Sequence, residues 1–280
     1  MRKLIIMIIL VFASCGHAEA SNLEINWSKK KDSLIKMLIK AQVDNARDLF
    51  SDARVELYPE IFQRSTVTTG WEVVFTQESI ERGRQCIEQN YAILSRVETQ
   101  FGVNKEILVS LFRLETNLGK HTGNYVVFNS LLTWCVSGHR RASWAEQELI
   151  AYLTLCREHQ FDPFEIKGST HGAFGLLQFI PSSFKRFAID GNGDGTIDLF
   201  NFEDALASSA NYLRRNGWGN QERQMKRALY AYNRDRSYVN TLIKYSKCIK
   251  LRECNVASLV QINEHTCSLM TGFVTEIESS

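Results

Sequence analysis

The sequence predicts a mainly α-helical protein, and three observations carry that prediction. From Glu78 to Phe101 the apolar positions Ile87, Tyr91, Leu94, Val97 and Phe101 step by three and four, the period of one helix face. A second stripe, Leu108, Leu111, Phe112 and Leu118, lies between Asn104, a helix-capping residue, and Gly119, a helix-stopping one. Strand-like runs are short and scattered. The composition agrees: 280 residues, 44% hydrophobic with only three prolines, suit a substantial core and not a disordered chain. A net charge of +2 gives no general attraction to nucleic acid, so no nucleic-acid partner is expected.

The elements follow in chain order. Arg2 and Lys3 precede an unbroken apolar run from Leu4 to Ala13, followed by small residues. This is the layout of a secretory signal, and the run is too short to span a bilayer comfortably. Ala18-Glu19-Ala20 fits a small-x-small cleavage site, giving a signal over residues 1–20. Alternatively, Phe12-Ala13-Ser14-Cys15 approximates a lipoprotein site ending before Cys15, which would then carry acyl chains and associate with the outer membrane. Either exit predicts an exported, periplasmic protein. It leaves Cys86, Cys135, Cys156, Cys248, Cys254 and Cys267, an even number that permits disulfides in an oxidising compartment and equally fits buried thiols. None has metal-site spacing.

Residues 24–64 read as one or two helices. After the two stripes above, Ser143 and Glu146 read as a capping box opening a helix that runs to about His159. Another is expected from near Asn201 to Gly217, and one more from Gln221 to Tyr232. Between them, Lys167 to Asn201 is rich in Gly and polar residues, the kind of loop on which function concentrates.

Within the second stripe, Glu115 follows Leu108 by seven residues, Leu111 by four and Phe112 by three. It therefore projects from the apolar face, in the last helical turn, where the dipole is negative. Both circumstances disfavour the carboxylate and raise its pKa, as a general acid requires. A partly buried Glu paired with Arg113 or with a distant cation is the competing, purely structural reading.

Asp190-Gly-Asn192-Gly-Asp194-Gly195-Thr196-Ile197-Asp198 matches the first nine positions of an EF-hand loop. Asp190, Asn192, Asp194 and Asp198 supply oxygens, Thr196 a backbone carbonyl, and Gly195 the sharp turn. Position twelve is Asn201 where a bidentate Glu is usual. The expectation is a weak structural Ca²⁺, with affinity on the order of 10⁻⁴ to 10⁻³ M. The alternative is a carboxylate-rich turn without an ion.

Arg113-Leu-Glu115-Thr116-Asn-Leu-Gly119 resembles the catalytic Glu-Thr-x-x-Gly segment of the B-type lytic murein transglycosylases. Arg140-Arg141-Ala142 is similar to that family's Arg-Arg-Ala. Lys167-Gly168-Ser169 and Gly172-Ala-Phe-Gly175-Leu-Leu-Gln178-Phe-Ile-Pro181-Ser-Ser183 resemble its Gly-Ala-x-Gly-x-x-Gln-Phe-x-Pro-Ser-Ser. The Asp190 loop follows, then Asp204-Ala205, Ala210-Asn211-Tyr212, Gly217-Trp218, and Tyr232-Asn233 with Ser237 and Tyr238. The match runs from about Trp71 to Tyr245, with departures at Leu118 and Leu176-Leu177, which put the preferred glycan context in question.

The resemblance implies a lysozyme-like helical fold with a substrate groove and an EF-hand-like calcium loop, occupying 21–245, with 246–280 an unassigned Cys-bearing tail. It implies a peptidoglycan lytic transglycosylase that cleaves the β-1,4 bond between N-acetylmuramic acid and N-acetylglucosamine and leaves a 1,6-anhydromuramoyl end. Glu115 would first protonate the leaving oxygen and then take the proton of the attacking 6-hydroxyl. The sugar's own acetamido group would stabilise the intermediate charge, so no second carboxylate is required. Gln178, Ser169, Arg140 and Arg141 become candidate substrate contacts, with Tyr232 and Asn233 lining the floor. Peptidoglycan strands are the expected partner of a monomer with no organic cofactor. The rival functions are a lysozyme-type muramidase and a catalytically silent peptidoglycan-binding envelope protein.

Overall fold

The computed structural model describes residues 22–62 and 70–251. The expected signal segment, Cys15, Cys254, Cys267 and the tail beyond 251 lie outside the described residues. The protein is mainly helical: α1 (22–40), α2 (Ala46–Leu49), α3 (Gln77–Gln89), α4 (Tyr91–Phe101), α5 (Lys105–Thr116), α6 (Val127–Val136), α7 (Ala142–His159), α8 (Pro181–Phe187), α9 (Phe202–Arg215), α10 (Glu222–Tyr232) and α11 (Arg236–Lys250). Two 3₁₀ turns, Pro59–Phe62 and Trp71–Val74, complete the helical elements. The named strands are β1 (Tyr125–Val126) and β2 (Lys167–Gly168), antiparallel, with Tyr125 opposite Gly168 and Val126 opposite Lys167. Among the described residues no helix is long and apolar enough to cross a membrane.

The chain forms two compact units. One takes the described residues up to 62 together with His121–Ala205; the other takes those from 70 to Lys120 together with Leu206 onward.

The first unit is organised around α6, every residue of which is buried. A helix buried on all sides, its polar Asn129, Ser130 and Thr133 included, presents no solvent face and so no clear amphipathic period in the sequence. It packs on α7, and α7 packs on α8. That second contact is polar as well as apolar: the buried Glu148 of α7 accepts from the Ser182 backbone N–H at 2.9 Å and from its hydroxyl at 2.7 Å.

The second unit is organised around α5 and α11, which pack on each other and on α3. Gly83 makes the α3–α11 approach possible, because a Cβ there would stand 2.8 Å from both Ile249 Cγ2 and the Tyr245 hydroxyl.

Several boundaries differ from expectation. The helix expected across Glu78–Phe101 breaks at Asn90, whose side chain donates to the Cys86 carbonyl at 2.9 Å and competes with the backbone ladder. The break resets the phase, and Tyr91 is 59% exposed. Asn104 stands before α5 without a side-chain capping bond. α5 stops at Thr116, so Leu118 is not on its stripe. Asn117, Leu118 and Gly119 instead turn the chain with φ of 55°, 58° and 82°. Ser143 lies inside the first turn of α7 and forms no capping box; Arg141 occupies the cap position. The boundary expected at 245 falls within α11, which continues to Lys250. Cys86, Cys135, Cys156 and Cys248 are buried free thiols.

Candidate active site

Glu115 sits one residue before the end of α5 and faces α11. Its Oε1 accepts a hydrogen bond from the Tyr238 hydroxyl at 2.5 Å. Arg113 does not pair with it: the guanidinium turns to the Ser79 hydroxyl at 2.9 Å. Among the described residues no cation approaches the Glu115 carboxyl, and neither a cation nor a second carboxylate contributes to its titration. Burial pushes its pKa up from 4.5 to about 7, opposed only by the Tyr238 hydrogen bond, which favours the charged form. Near neutral pH this group is therefore part acid and part base.

Two tyrosines flank the carboxyl. Tyr238, on the first turn of α11, is fully buried, and burial followed by the neighbouring Glu115 charge holds its hydroxyl protonated well above the usual range. Tyr232, the last residue of α10, responds to burial and to Glu115 in the same order. Its ring meets that of Tyr212 edge-on at 4.9 Å, and its hydroxyl lies 3.5 Å from that of Ser209. Asn233 closes α10, donating its backbone N–H to the Leu229 carbonyl.

The turn after Glu115 is held from α3. Arg82 donates to both the backbone carbonyl of Asn117 (3.1 Å) and its side-chain oxygen (3.0 Å). The buried Thr116 hydroxyl accepts from the Gly119 N–H at 3.0 Å. Together they keep three successive residues at positive φ, of which Leu118 carries a side chain disfavoured there.

The remaining candidate contacts belong to the first unit. The Gly168–Phe179 loop folds on itself through paired Phe174–Phe179 backbone bonds and the Gly168–Phe174 bridge. Gln178 stands in this loop at φ 50°. Its amide Nε2 donates to the carbonyls of Thr122 (2.9 Å) and Gly175 (3.0 Å), which leaves Oε1 as an acceptor. Ser169 uses its hydroxyl oxygen to accept from the backbone N–H groups of His171 and Ala173, bracing the loop. Arg140 and Arg141 are exposed in the turn before α7.

In the Asp190 loop, Gly195 takes φ 90°, as its place in the turn demands. Asp190 accepts from Gly193 and Gly195 N–H, Asn192 from Asp194 N–H, and Asp194 from the Thr196 N–H and hydroxyl. Those Thr196 bonds, the hydroxyl first, hold the Asp194 carboxyl below its usual range. Asp198 accepts from Phe200 N–H. Asn201 turns its side-chain oxygen to the N–H groups of Glu203 and Asp204, at the head of α9.

The inner carboxylate is one the twelve-residue template did not include. Asp204, 1% exposed, accepts from Gly191, Asn192 and Asp198 N–H. Among the described residues no group of three or more His, Cys, Asp or Glu side chains is placed to hold a metal. An ion here would also need Asn192 and the Thr196 carbonyl. That donor set is all oxygen, which suits a hard cation.

Among the described residues, cavities of about 540 Å³ and about 280 Å³ open in the first unit. The larger is lined by α2 and the end of α7 and includes none of the candidate residues; the smaller touches only Asp198. The candidate chemistry is at Glu115, not in these cavities.

Tyr238, Trp71, Asp235 and Asp204 were missed as site residues. Tyr238 and Asp204 stood in segments that the resemblance marks, Tyr232–Tyr238 and Asp204-Ala205, and Trp71 only at the start of the match; Asp235 had no signal of its own.

Residues 59–238 match the family model described as the transglycosylase SLT domain, and the chain belongs to this family. Over 143 residues it is 37% identical to the membrane-bound lytic murein transglycosylase B of Escherichia coli, covering 51% of this chain and 40% of that protein. The match thus spans under half of that curated relative. The fold is shared with the E. coli lytic transglycosylase Slt35, solved in complex with calcium, at a TM-score of 0.70 and 21% identity, covering 79% of this chain and 92% of that one. It is shared too with SltB3 of Pseudomonas aeruginosa, solved in complex with NAG-anhNAM-pentapeptide, at 0.69 and 21%, covering 80% and 79%.

Proposed function

We propose that this protein is a peptidoglycan lytic transglycosylase acting in the periplasm, with Glu115 as its single acid/base. The observation that carries the proposal is the half-buried Glu115 carboxyl, hydrogen-bonded by Tyr238 and without a cation acting on it, whose pKa is pushed up to about 7. Protonated Glu115 donates to the glycosidic oxygen as the bond to the muramoyl anomeric carbon breaks. The resulting carboxylate takes the proton from the muramoyl 6-hydroxyl as that oxygen closes onto the anomeric carbon. The proton count balances within one residue, and water is not consumed. A pKa near the working pH serves both halves.

Two things support an anhydro product over hydrolysis. The chain belongs to the transglycosylase SLT domain family. No second carboxylate among the described residues influences Glu115. Gln178 Oε1, Arg140, Arg141, Tyr232 and Asn233 are the proposed glycan contacts, while Ser169 acts through the loop it braces. A Ca²⁺ held by Asp190, Asn192, Asp194, the Thr196 carbonyl and Asp198 would neutralise the loop and stiffen it.

The test is digestion of purified peptidoglycan, with mass spectrometry of the released fragments. Anhydromuramoyl ends are one water lighter than reducing ends. Native protein yields the lighter fragments and Glu115→Gln yields none; heavier fragments would replace this reading with a muramidase. Binding without any release would make the protein a silent wall-binding one.

A further inference from the structure

Trp71 and Asp235 take no part in the proton transfers above, yet both bear on the one donor to Glu115. Asp235 caps α11, its Oδ1 accepting from the Ser237 N–H at 2.7 Å. Its Oδ2 accepts from the Trp71 indole Nε1–H at 2.9 Å. The Tyr238 backbone N–H also bonds this carboxylate, and these donors, Trp71 first, hold its pKa below the usual range. The Trp71 ring in turn meets the Tyr238 ring edge-on, centroids 5.2 Å apart and planes at 79°. Tyr238 is thus held at three points: its backbone by Asp235, its ring by Trp71, its hydroxyl by Glu115.

A 2.5 Å bond leaves little slack. A phenol oxygen lies at the far end of a rigid ring, so a small tilt about Cβ carries it out of range of its acceptor. The Trp71–Val74 turn packs on α11 and closes the side from which such a tilt would come.

We propose that Asp235 and Trp71 are positioning residues, which together hold the Tyr238 ring where its hydroxyl meets the Glu115 carboxyl. This rests on Glu115 being the acid/base. The other groups near Glu115 are accounted for: Tyr232 faces it from α10, Arg113 of its own helix turns to Ser79, and Arg82 of α3 turns to Asn117.

The experiment compares Trp71→Phe, which keeps an aromatic ring and removes the N–H donor, with Asp235→Ala, Asp235→Asn and Tyr238→Phe. Activity is followed against pH, and Glu115 is followed directly by ¹³C NMR of its carboxyl carbon, assigned through Glu115→Gln. Trp71→Phe and Asp235→Ala lower kcat about tenfold with KM within about twofold. Their alkaline limb and the Glu115 titration move upward, because a displaced Tyr238 no longer favours the carboxylate. Asp235→Asn, which keeps a capping oxygen, recovers part of the loss and carries the test together with Trp71→Phe if Asp235→Ala does not fold. Adding Trp71→Phe to Tyr238→Phe changes nothing further, as expected of residues that act through one another. A Glu115 titration unmoved by Trp71→Phe, or effects that simply add, overturns the proposal. A native protein that releases no fragments overturns the acid/base reading instead, and the NMR titration still decides the positioning.

Discussion

The Tyr238 hydroxyl and Glu115 Oε1 are joined across 123 residues of sequence by a hydrogen bond of 2.5 Å. The bond opposes burial: burial favours the acid, while the tyrosine donor favours the carboxylate. Glu115 is balanced near pH 7 because both act at once. Without the tyrosine the group would be a better acid reservoir and a poorer base.

Tyr238→Phe is therefore expected to raise the Glu115 pKa by about one unit, the scale of a single hydrogen bond to a charged group. Activity against peptidoglycan should persist to higher pH while its maximum falls. A pH–rate profile of the variant beside the native protein checks both.

Stability should respond to the same carboxyl. Below 4.5, the ordinary value for Glu, folded and unfolded chains both hold the proton, and the contribution of Glu115 is fully favourable. Between 4.5 and about 7 the unfolded chain releases the proton and the folded one does not, so stability falls as pH rises. The loss amounts to at most about 3 kcal/mol. Glu115→Gln removes this dependence, so its stability gain over the native protein should grow from pH 4.5 to 7 in urea titrations.

Gly83→Ala should destabilise the second unit by about 1–3 kcal/mol, since the new methyl would enter space held by Ile249 and Tyr245. Because Tyr245 also bonds Ser79, the partner of Arg113, activity should fall along with the melting temperature. A melt that is unchanged would show that α3 can shift without penalty.

The Asp190 loop separates two kinds of carboxylate. Millimolar Ca²⁺ should raise the melting temperature of the native protein and chelator should reverse the rise; Asp190→Ala and Asp194→Ala should abolish it. Asp204→Ala should lower the melting temperature with or without Ca²⁺. It removes the acceptor of three part-buried N–H groups, a loss of about 1–3 kcal/mol in all. Calorimetry with and without Ca²⁺ distinguishes the two classes.

Much was legible in the sequence because it depended on local spacing. The period of α5 places Glu115 on an apolar stripe wherever that stripe packs, and the Asp-Gly alternation of 190–198 makes a turn by its own backbone preferences. The α9 and α10 limits, set by Asn201, Gly217 and Gln221, were readable to within two residues. α6 was not, since a helix buried on every side carries no period to detect. Nor was the break at Asn90, where a side-chain bond of one residue overrides a regular stripe.

The sequence by itself determined that an acidic group would be carried into an apolar setting, and that the surrounding motifs belong to a wall-cleaving family. Tertiary structure alone decided what that group meets: Tyr238 and not Arg113, with Trp71 and Asp235 behind it, and Asp204 beneath the Asp190 loop. The physical reason is range. Helical period and turn chemistry act over a few residues, whereas burial and a hydrogen bond between α5 and α11 exist only once the chain has brought positions 115 and 238 together.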